Sequence, residues 1–422
     1  MGEHIISNQY TLSTRKCSQV YLNWLVFIFS PILGFIIAWS QVLRRNYRYI
    51  YILASLFPIL GAFFPPLSDS YRYRILYLNS TSFDFDFSSL FYSEKDFLYY
   101  WLSCVFNNIG CTYEAFKLII FLICYWLYAW MYIDIIKHSK VLSNNKKTYV
   151  VGVICILFII RLFTLCNGIR FGIASTIVII AMYQLFRKRI KWGILWLSVA
   201  CCMHFSILMV VPCIFGTFFL QYVRLKRWVK FSIIFVLIIL SHSGIGDILS
   251  ALFPTNDLMS NNINVYIEGK WNTDSLMATA SVGGLIFTVL RILPVIPLAY
   301  FVISDKQDYL QNLGFMLLIV LSISFSSYTI LLRYSNIAIA ILFVAQLVSL
   351  KSTKKELRKL KVSCAAFICV FATYVYTQRE PLTNVSTPYK ALLSPILLYD
   401  SHSYSQDWIN RNINSEGELR NQ

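Results

Sequence analysis

Two arginines lie at the junction of two adjacent apolar runs, in the segment VGVICILFIIRLFTLCNGIRFGIASTIVIIAMYQLF. Arg161 interrupts the first run, Arg170 opens the second, and Gly172 follows two residues later. A guanidinium stays protonated and is costly in hydrocarbon, so both side chains must face protein, water or an anionic ligand. Because the planar fork of arginine binds two phosphate oxygens at once, these residues predict a cationic site suited to a lipid diphosphate.

Three further ionisable residues lie in or beside apolar runs. Arg291 falls in the middle of a run, where an idle cation is least expected. Arg333 lies near the start of another run, although any one of these arginines could instead snorkel or cap a helix end. His204 lies in SVACCMHFSILMVVP, where it could act as a base on a sugar hydroxyl or be a hydrogen-bonded structural group.

The composition indicates that these residues belong to a membrane protein. Hydrophobic residues make up 57% of the 422 residues and charged residues only 14%, with a mean hydropathy of +0.60. These values are typical of a polytopic membrane protein, so we predict an all-α transmembrane fold forming a single membrane domain over residues 1–422. About twelve spans are expected, at residues 21–41, 49–66, 114–136, 148–166, 168–186, 193–204, 206–220, 231–250, 280–303, 312–330, 332–350 and 362–378.

The formal net charge of +17 is concentrated between the predicted spans. Most of the 37 lysines and arginines lie in six short segments, at 44–48, 137–147, 187–191, 224–230, 306 and 351–361. Such segments face the cytoplasm by the positive-inside rule. The charge therefore reports topology, and no nucleic-acid partner is expected.

This topology places three sizeable segments outside the cytoplasm, at about 67–113, 251–279 and 379–422, and Arg161, Arg170 and Arg333 near the same external face. The first segment combines aromatic rings with carboxylates and guanidinium groups. Rings stack on the C–H faces of sugars while charged groups bind hydroxyls, although an ordinary aromatic belt at headgroup level is the alternative. Asp69, Tyr71, Arg72 and Glu94 are among the charged and aromatic residues of this segment.

The stretch from 193 to 220 is too short for two full spans. It holds 28 residues between two basic segments that should share a side, whereas one crossing helix needs about 20 residues. We predict a pair of short helices that turn near His204 and are shielded by neighbouring helices.

Other chemistries lack their motifs. The sequence has no zinc pattern, no Walker A motif, no glycine-rich nucleotide fingerprint and no GxSxG elbow, so no metal and no cofactor are expected. A diphosphate is already a competent leaving group, so the lack of a nucleotide motif does not exclude group transfer at the arginines.

Five segments together resemble a known family. They are SDSYRY at 68–73, SEKDFLYYWLSCVFNNIG at 93–110, NGIRFGIASTIVIIAMYQLFRKRIKWGILWLSVACCMHFSILMVVP at 167–212, LLRYSNIAIAIL at 331–342 and TPYKALL at 387–393. This set resembles the Wzy/EpsG-like bacterial polysaccharide (O-antigen) polymerases, over most of the chain from about 44 to 393. The spacing from Arg161 to Gly172 is also similar to the R-x10-G pattern of O-antigen polymerases, which occurs once here.

The resemblance implies a GT-C-like helical glycosyltransferase at the periplasmic face of the bacterial inner membrane, working without a metal or a nucleotide sugar. The donor would be the growing glycan on undecaprenyl diphosphate, and the acceptor a lipid-linked repeat unit. Arg161, Arg170 and Arg333 would hold the departing diphosphate, and His204 would be the base or orienter for the acceptor hydroxyl. The sugar groove would be formed by Asp69, Tyr71, Arg72 and Glu94, with Arg291 as a further substrate contact. The expected partners are the lipid bilayer and the undecaprenyl-diphosphate-linked oligosaccharide, with a chain-length regulator and a flippase as candidate protein partners.

Two other classes share some of these features. A lipid-linked oligosaccharide flippase would also have many spans and buried cations, but internal repeats are expected there and none is evident here. An O-antigen ligase would share the donor and the fold and use the lipid A core as acceptor. A large external loop with its own histidine and arginines would favour the ligase, and residues 251–279 contain neither.

Overall fold

The computed structural model describes residues 18–80, 96–242, 282–305 and 308–420. Within these ranges the chain is helical, apart from an isolated antiparallel bridge between Ile413 and Leu419. The predicted external segment 251–279 and the candidate residue Glu94 lie outside the described residues.

The α-helices are labelled here in chain order. They are α1 (Ser18–Phe29), α2 (Pro31–Leu43), α3 (Ile50–Ala62), α4 (Asp69–Asn79), α5 (Phe97–Asn108), α6 (Tyr113–His138), α7 (Lys140–Asn144), α8 (Lys146–Ile159), α9 (Leu162–Asn167), α10 (Ile169–Phe186), α11 (Ile190–Met203), α12 (Val211–Leu220), α13 (Arg227–His242), α14 (Val282–Ile292), α15 (Val295–Val302), α16 (Tyr309–Ile323), α17 (Tyr328–Val348), α18 (Lys354–Thr377), α19 (Arg379–Asn384), α20 (Thr387–Leu393) and α21 (Gln406–Asn412). Short 3₁₀ helices form at Tyr47–Tyr49, Phe205–Val210, Ser324–Ser326 and Ile396–His402.

Among the described residues, five helical stretches are long and apolar enough to cross a membrane. They are Tyr113–His138, Lys146–Asn167, Ile169–Phe186, Tyr328–Val348 and Lys354–Thr377, and shorter apolar helices accompany them. The predicted all-α class is confirmed for the described part of the chain, and the helices are those of a membrane protein. The count of twelve spans stays a prediction.

Three predicted spans are each divided into two helices. The first breaks at Ser30, where Pro31 starts α2, and the span at 280–303 breaks at Leu293 and Pro294. Proline has no amide hydrogen and fits the first turn of a helix, so it marks both breaks. The span at 148–166 breaks at Ile160 and Arg161, where no proline or glycine marks the position.

The break predicted near His204 is confirmed. Helix α11 ends at Met203, His204 has extended backbone angles (φ −155°, ψ 119°), and the 3₁₀ helix Phe205–Val210 leads into α12. A helix too short to cross a membrane therefore lies on each side of His204. The sides on which the flanking basic segments emerge stay a prediction.

The chain divides into two compact units, residues Met1–Ile173 with Thr377–Gln422 and residues Ala174–Tyr376. In the first unit α3 packs along α6. The backbone carbonyls after α3 are satisfied by side chains: Tyr404 Oη donates to Phe63 at 2.7 Å, and the fully buried Lys117 Nζ donates to Phe64 at 3.1 Å. Since a helix end leaves its last carbonyls unpaired, these two donors complete α3 and fix it to α6 and to the C-terminal segment.

In the second unit, α16 and α17 form the central pair, with α12 and α13 against α16 and α15 against α17. The start of α13 is tied to the end of α15. The Arg227 guanidinium donates to the Tyr300 carbonyl oxygen, and Lys230 Nζ donates to the Ser304 carbonyl oxygen at 3.1 Å. Cations at the carbonyl end of a helix are electrostatically favourable, so part of the 224–230 basic segment stabilises this junction.

The topology gives a first testable expectation. Lys191→Cys and Lys226→Cys, both at exposed positions, should resist a membrane-impermeant maleimide applied outside intact cells and react after permeabilisation. Glu416→Cys, exposed in the predicted external tail, is the positive control, and the unmodified chain gives the background from its eleven cysteines. Strong external labelling at either lysine position would overturn the hairpin around His204.

Candidate active site

Arg170 lies in the first turn of α10 and contacts one carboxylate and two phenols. Its Nη1 lies 3.0 Å from Oδ2 of Asp96 and donates to the Tyr100 hydroxyl at 2.9 Å. Its Nη2 donates to the Tyr73 hydroxyl at 3.3 Å, and its guanidinium lies over the Tyr73 ring, 4.8 Å from the centroid. Arg170 is therefore held by one carboxylate and two phenols, on a side chain that keeps 22% of its surface exposed.

One edge of this guanidinium is buried and incompletely hydrogen-bonded. Nε is buried without a hydrogen-bond partner, and Nη2 makes only the longer bond to Tyr73. Nε–H and one N–H of Nη2 point the same way and form the pair that grips two oxygens of a phosphate or carboxylate. Asp96 and Tyr100 thus hold the Nη1 end, and the Nε and Nη2 edge suits an anion. Among the described residues, no group of three or more His, Cys, Asp or Glu side chains is placed to hold a metal ion.

Helices α4 and α5 supply the partners of Arg170. Asp96 is the residue before α5 and has left-handed backbone angles (φ 71°, ψ 34°), an uncommon conformation that short polar residues tolerate best. Its side chain is only 4% exposed. Tyr73 comes from α4, and its ring meets the Tyr99 ring of α5 edge-on at 5.9 Å. Burial raises the pKa of the Tyr99 phenol well above its ordinary value, so this wall of the site stays uncharged.

The predicted sugar contacts lie on the same helix as Tyr73. Asp69 and Arg72 form an exposed ion pair one turn apart, with Nη1 and Oδ1 separated by 3.6 Å, and Tyr71 is half-buried beside them. At least half of each of these two side chains is exposed, so both are accessible to a ligand. The structure brings these residues onto the helix that contacts Arg170.

Arg161 occupies the break between α8 and α9. Its side chain is buried, and its carbonyl oxygen accepts the first hydrogen bond of α9, from the Leu165 amide at 2.9 Å. Gly172, at the other end of the R-x10-G spacing, faces Leu165: a Cβ on Gly172 would lie 2.3 Å from Leu165 Cδ1. The glycine therefore allows α10 to approach α9 closely, which fixes the segment between the two arginines.

His204, in the second unit, is held by its own segment. Its Nδ1 accepts the Ser206 backbone amide at 3.3 Å, in the manner of a helix N-cap, and the Ser206 hydroxyl lies at the same distance. If Nδ1 accepts, the neutral ring carries its proton on Nε2. In this tautomer Nε2 is a hydrogen-bond donor, as an orienting group requires, whereas a base needs an acceptor at that atom.

The first two turns of α17 gather the remaining predicted residues of this unit. Arg291 Nη1 donates to the Tyr328 hydroxyl at 3.0 Å, and Arg333 lies five residues further along α17. Tyr334 donates to the Ser206 carbonyl oxygen, next to His204. Because α-helices rise about 1.5 Å per residue, these three attachment points span about 9 Å of the helix. Arg291, Arg333 and the His204 segment therefore meet one short stretch of α17.

Asp96, Tyr73 and Tyr100 were not predicted as site residues. The sequence does carry a signal for Asp96, since an aspartate directly before an apolar helical run is typical of a helix start. That signal concerns the helix and not the arginine 74 residues later. The tyrosines are indistinguishable from belt residues before the fold is known.

The fold and site define a helical membrane protein with a largely buried arginine that is held by a carboxylate and two phenols. The profile of the EpsG family matches residues 46–391, and the chain belongs to this family of Wzy/EpsG-type polysaccharide polymerase-like membrane proteins. The predicted resemblance is thereby confirmed. Searches among curated proteins and among solved structures give no significant match.

Proposed function

We propose that this chain is a polysaccharide polymerase of the bacterial inner membrane, with a GT-C-like fold. It transfers a growing glycan from undecaprenyl diphosphate to a lipid-linked repeat unit at the periplasmic face. Membership of the EpsG family supports the polymerase-like role. The observation that carries the donor chemistry is the buried Nε of Arg170, which has no hydrogen-bond partner and lies beside Nη2.

In the proposed reaction, Arg170 binds two oxygens of the donor diphosphate. The bond from the anomeric carbon to the diphosphate oxygen breaks, and a bond from the acceptor hydroxyl oxygen to that carbon forms. The hydroxyl proton passes to the departing diphosphate, so the transfer needs neither metal nor nucleotide. Negative charge grows on the diphosphate as the bond breaks, and a fixed guanidinium stabilises that charge without having to reorganise.

The other predicted residues also have proposed roles. Arg161, buried at the helix break, and Arg333 are further cations for the phosphates. His204 donates from Nε2 to a sugar oxygen and orients the acceptor. Asp69, Tyr71, Arg72, Glu94 and Arg291 are the proposed sugar contacts.

The proposed partners are the lipid bilayer and the undecaprenyl-diphosphate-linked oligosaccharide, with a chain-length regulator and a flippase as protein partners. An O-antigen ligase or a flippase would use the same lipid-linked substrate. Deleting the gene for a polymerase, a ligase or a flippase changes the surface glycan in different ways, so a deletion can test which class this chain belongs to.

Deletion of the gene should leave surface glycans that carry a single repeat unit. Electrophoresis of the surface polysaccharide would show one short band in place of a ladder, and the full-length gene should restore the ladder. Complete loss of repeat units would instead indicate a ligase or a flippase and would overturn the polymerase.

A further inference from the structure

The chain beyond the family match folds against the start of α4 and the end of α3. The match ends at residue 391, and the chain then forms a 3₁₀ helix at Ile396–His402, helix α21 and a turn closed by the bridge between Ile413 and Leu419. Residues 396–420 are called the C-terminal strap here. The strap belongs to the same compact unit as Arg170.

Hydrogen bonds tie the strap to helix α4 and to the residue before it. The buried Arg74 of α4 donates from Nη1 to Gln406 Oε1 at 2.8 Å and from Nη2 to the Tyr404 carbonyl oxygen at 2.9 Å. The Ser68 amide donates to the Gly417 carbonyl oxygen at 2.7 Å. Hydrogen bonds from a buried cation are among the stronger ones in proteins, so Arg74 fixes the strap to α4.

The contact at Gly417 requires glycine. Its φ is +82°, and a Cβ there would lie 2.9 Å from the Ser68 amide nitrogen and 3.0 Å from the Ser68 carbonyl oxygen. Backbone atoms cannot move aside as a flexible side chain can, so any other residue would separate the strap from the start of α4. The close approach is therefore specified by the sequence of the strap itself.

Two aromatic residues anchor the strap on the other side. The Tyr399 ring meets the Phe63 ring at 4.8 Å, and the Tyr404 hydroxyl donates to the Phe63 carbonyl oxygen at 2.7 Å. Burial raises the pKa of the Tyr404 phenol, so it keeps the proton that it donates. The strap is thus fixed on both sides of the turn between α3 and α4.

Adjacent residues of α4 link the strap to the arginine centre. Tyr73 contacts the Arg170 guanidinium by ring and hydroxyl, while Arg74 holds the strap. Because both side chains leave one helix turn, a displacement of α4 that follows loss of the strap also displaces Tyr73. The exposed pair of Asp69 and Arg72 lies on the same helix and would move with it.

We propose that the C-terminal strap is a positioning element of the Arg170 site, which acts through Arg74 and α4 and places Tyr73 against the guanidinium. This inference rests on the proposed function. The strap lies outside the residues that the family profile matches, whereas Tyr73, Asp96 and Arg170 lie inside them.

The test measures whether strap and site are coupled. In cells deleted for the gene, full-length variants Gln406→Leu, Arg74→Gln and Tyr73→Phe would be compared singly, with Gln406→Leu also combined with Tyr73→Phe. The readout is polymer yield per amount of membrane protein. Each single variant should lose about tenfold, since small misplacements far from the chemistry can cost up to about 100-fold. Arg411→Gln, which removes an exposed cation from the strap, is the control and should keep the full ladder.

The double variant shows whether the strap positions Tyr73 or contributes only to packing. If the strap acts through Tyr73, the double variant should lose no more than the worse single variant, because the second change removes a contact already lost. Normal polymer from Gln406→Leu, or a double variant whose loss is the product of the two single losses, would overturn the proposal. If Arg74→Gln lowers the protein level, the result for Gln406→Leu decides the test. Gln406→Leu removes one hydrogen bond of Arg74 and keeps the bond from Arg74 to the Tyr404 carbonyl oxygen. If Arg170→Ala itself leaves the ladder intact, the proposed function fails independently of the strap.

Discussion

Replacing Arg170 with lysine is expected to abolish polymer formation almost as completely as replacing it with alanine. Lysine keeps the charge but has a single ammonium at its end, and it cannot bond to Asp96, Tyr100 and Tyr73 while presenting two parallel N–H groups to a diphosphate. Removal of one fixed donor from a developing negative charge typically costs about 10² to 10³ in rate. Both variants should therefore show a loss of at least about 100-fold in polymer per amount of membrane protein.

The measurement pairs an immunoblot of the membrane fraction with the polysaccharide ladder. Lys191→Gln, at an exposed position in a basic segment, removes a cation without touching the site and should retain the ladder. Asp96→Asn should fall between wild type and Arg170→Lys, because the amide keeps one oxygen for Nη1 but loses the charge. A near-normal ladder from Arg170→Lys would reduce Arg170 to a point charge or a helix cap, and the diphosphate contact would have to be abandoned.

The site shows which parts of the arrangement a sequence can specify. Arg170 can be recognised from the sequence because a guanidinium beside two apolar runs is costly in a membrane, which marks it as a candidate functional residue. Its carboxylate partner is not, because the contact joins residues 74 positions apart and follows from how α5 starts rather than from any spacing. The sequence singles out Asp69 and Glu94 as sugar contacts and gives no reason to choose Asp96, the carboxylate that the structure places on the guanidinium.

The fold, like the site, could be predicted from the sequence only in part. Apolar runs predict helices well because a buried membrane segment must satisfy its own backbone hydrogen bonds. Breaks at Pro31 and Pro294 follow from proline, whereas the break beside Arg161 has no such local cause and depends on tertiary packing. Arg74 could not be identified as buried, since its partners come from a polar C-terminal segment more than 300 residues later.

His204 is expected to respond differently to asparagine and to glutamine. Asparagine places an oxygen near the position of Nδ1 and is a good N-cap, so His204→Asn should keep the bond from the Ser206 amide and a normal protein level. It removes the donor at Nε2, so polymer per molecule should fall by about 100-fold if that donor orients the acceptor. Glutamine reaches the position of Nε2 but loses the cap, which is typically worth about 1 kcal/mol. His204→Gln should therefore accumulate less but make more polymer per molecule than His204→Asn.

Each outcome of this comparison assigns a different role to the ring. A full ladder from His204→Asn would mean that the histidine serves only as the cap of the 3₁₀ helix, and it would remove His204 from the reaction. Equal impairment of both variants at normal protein level would indicate a base, since neither amide can accept a full proton and loss of such a base typically costs about 10² to 10⁴ in rate. That result would require Nδ1 to carry the proton and release the Ser206 amide, so it would contradict the orienting role inferred from the hydrogen bond at Nδ1.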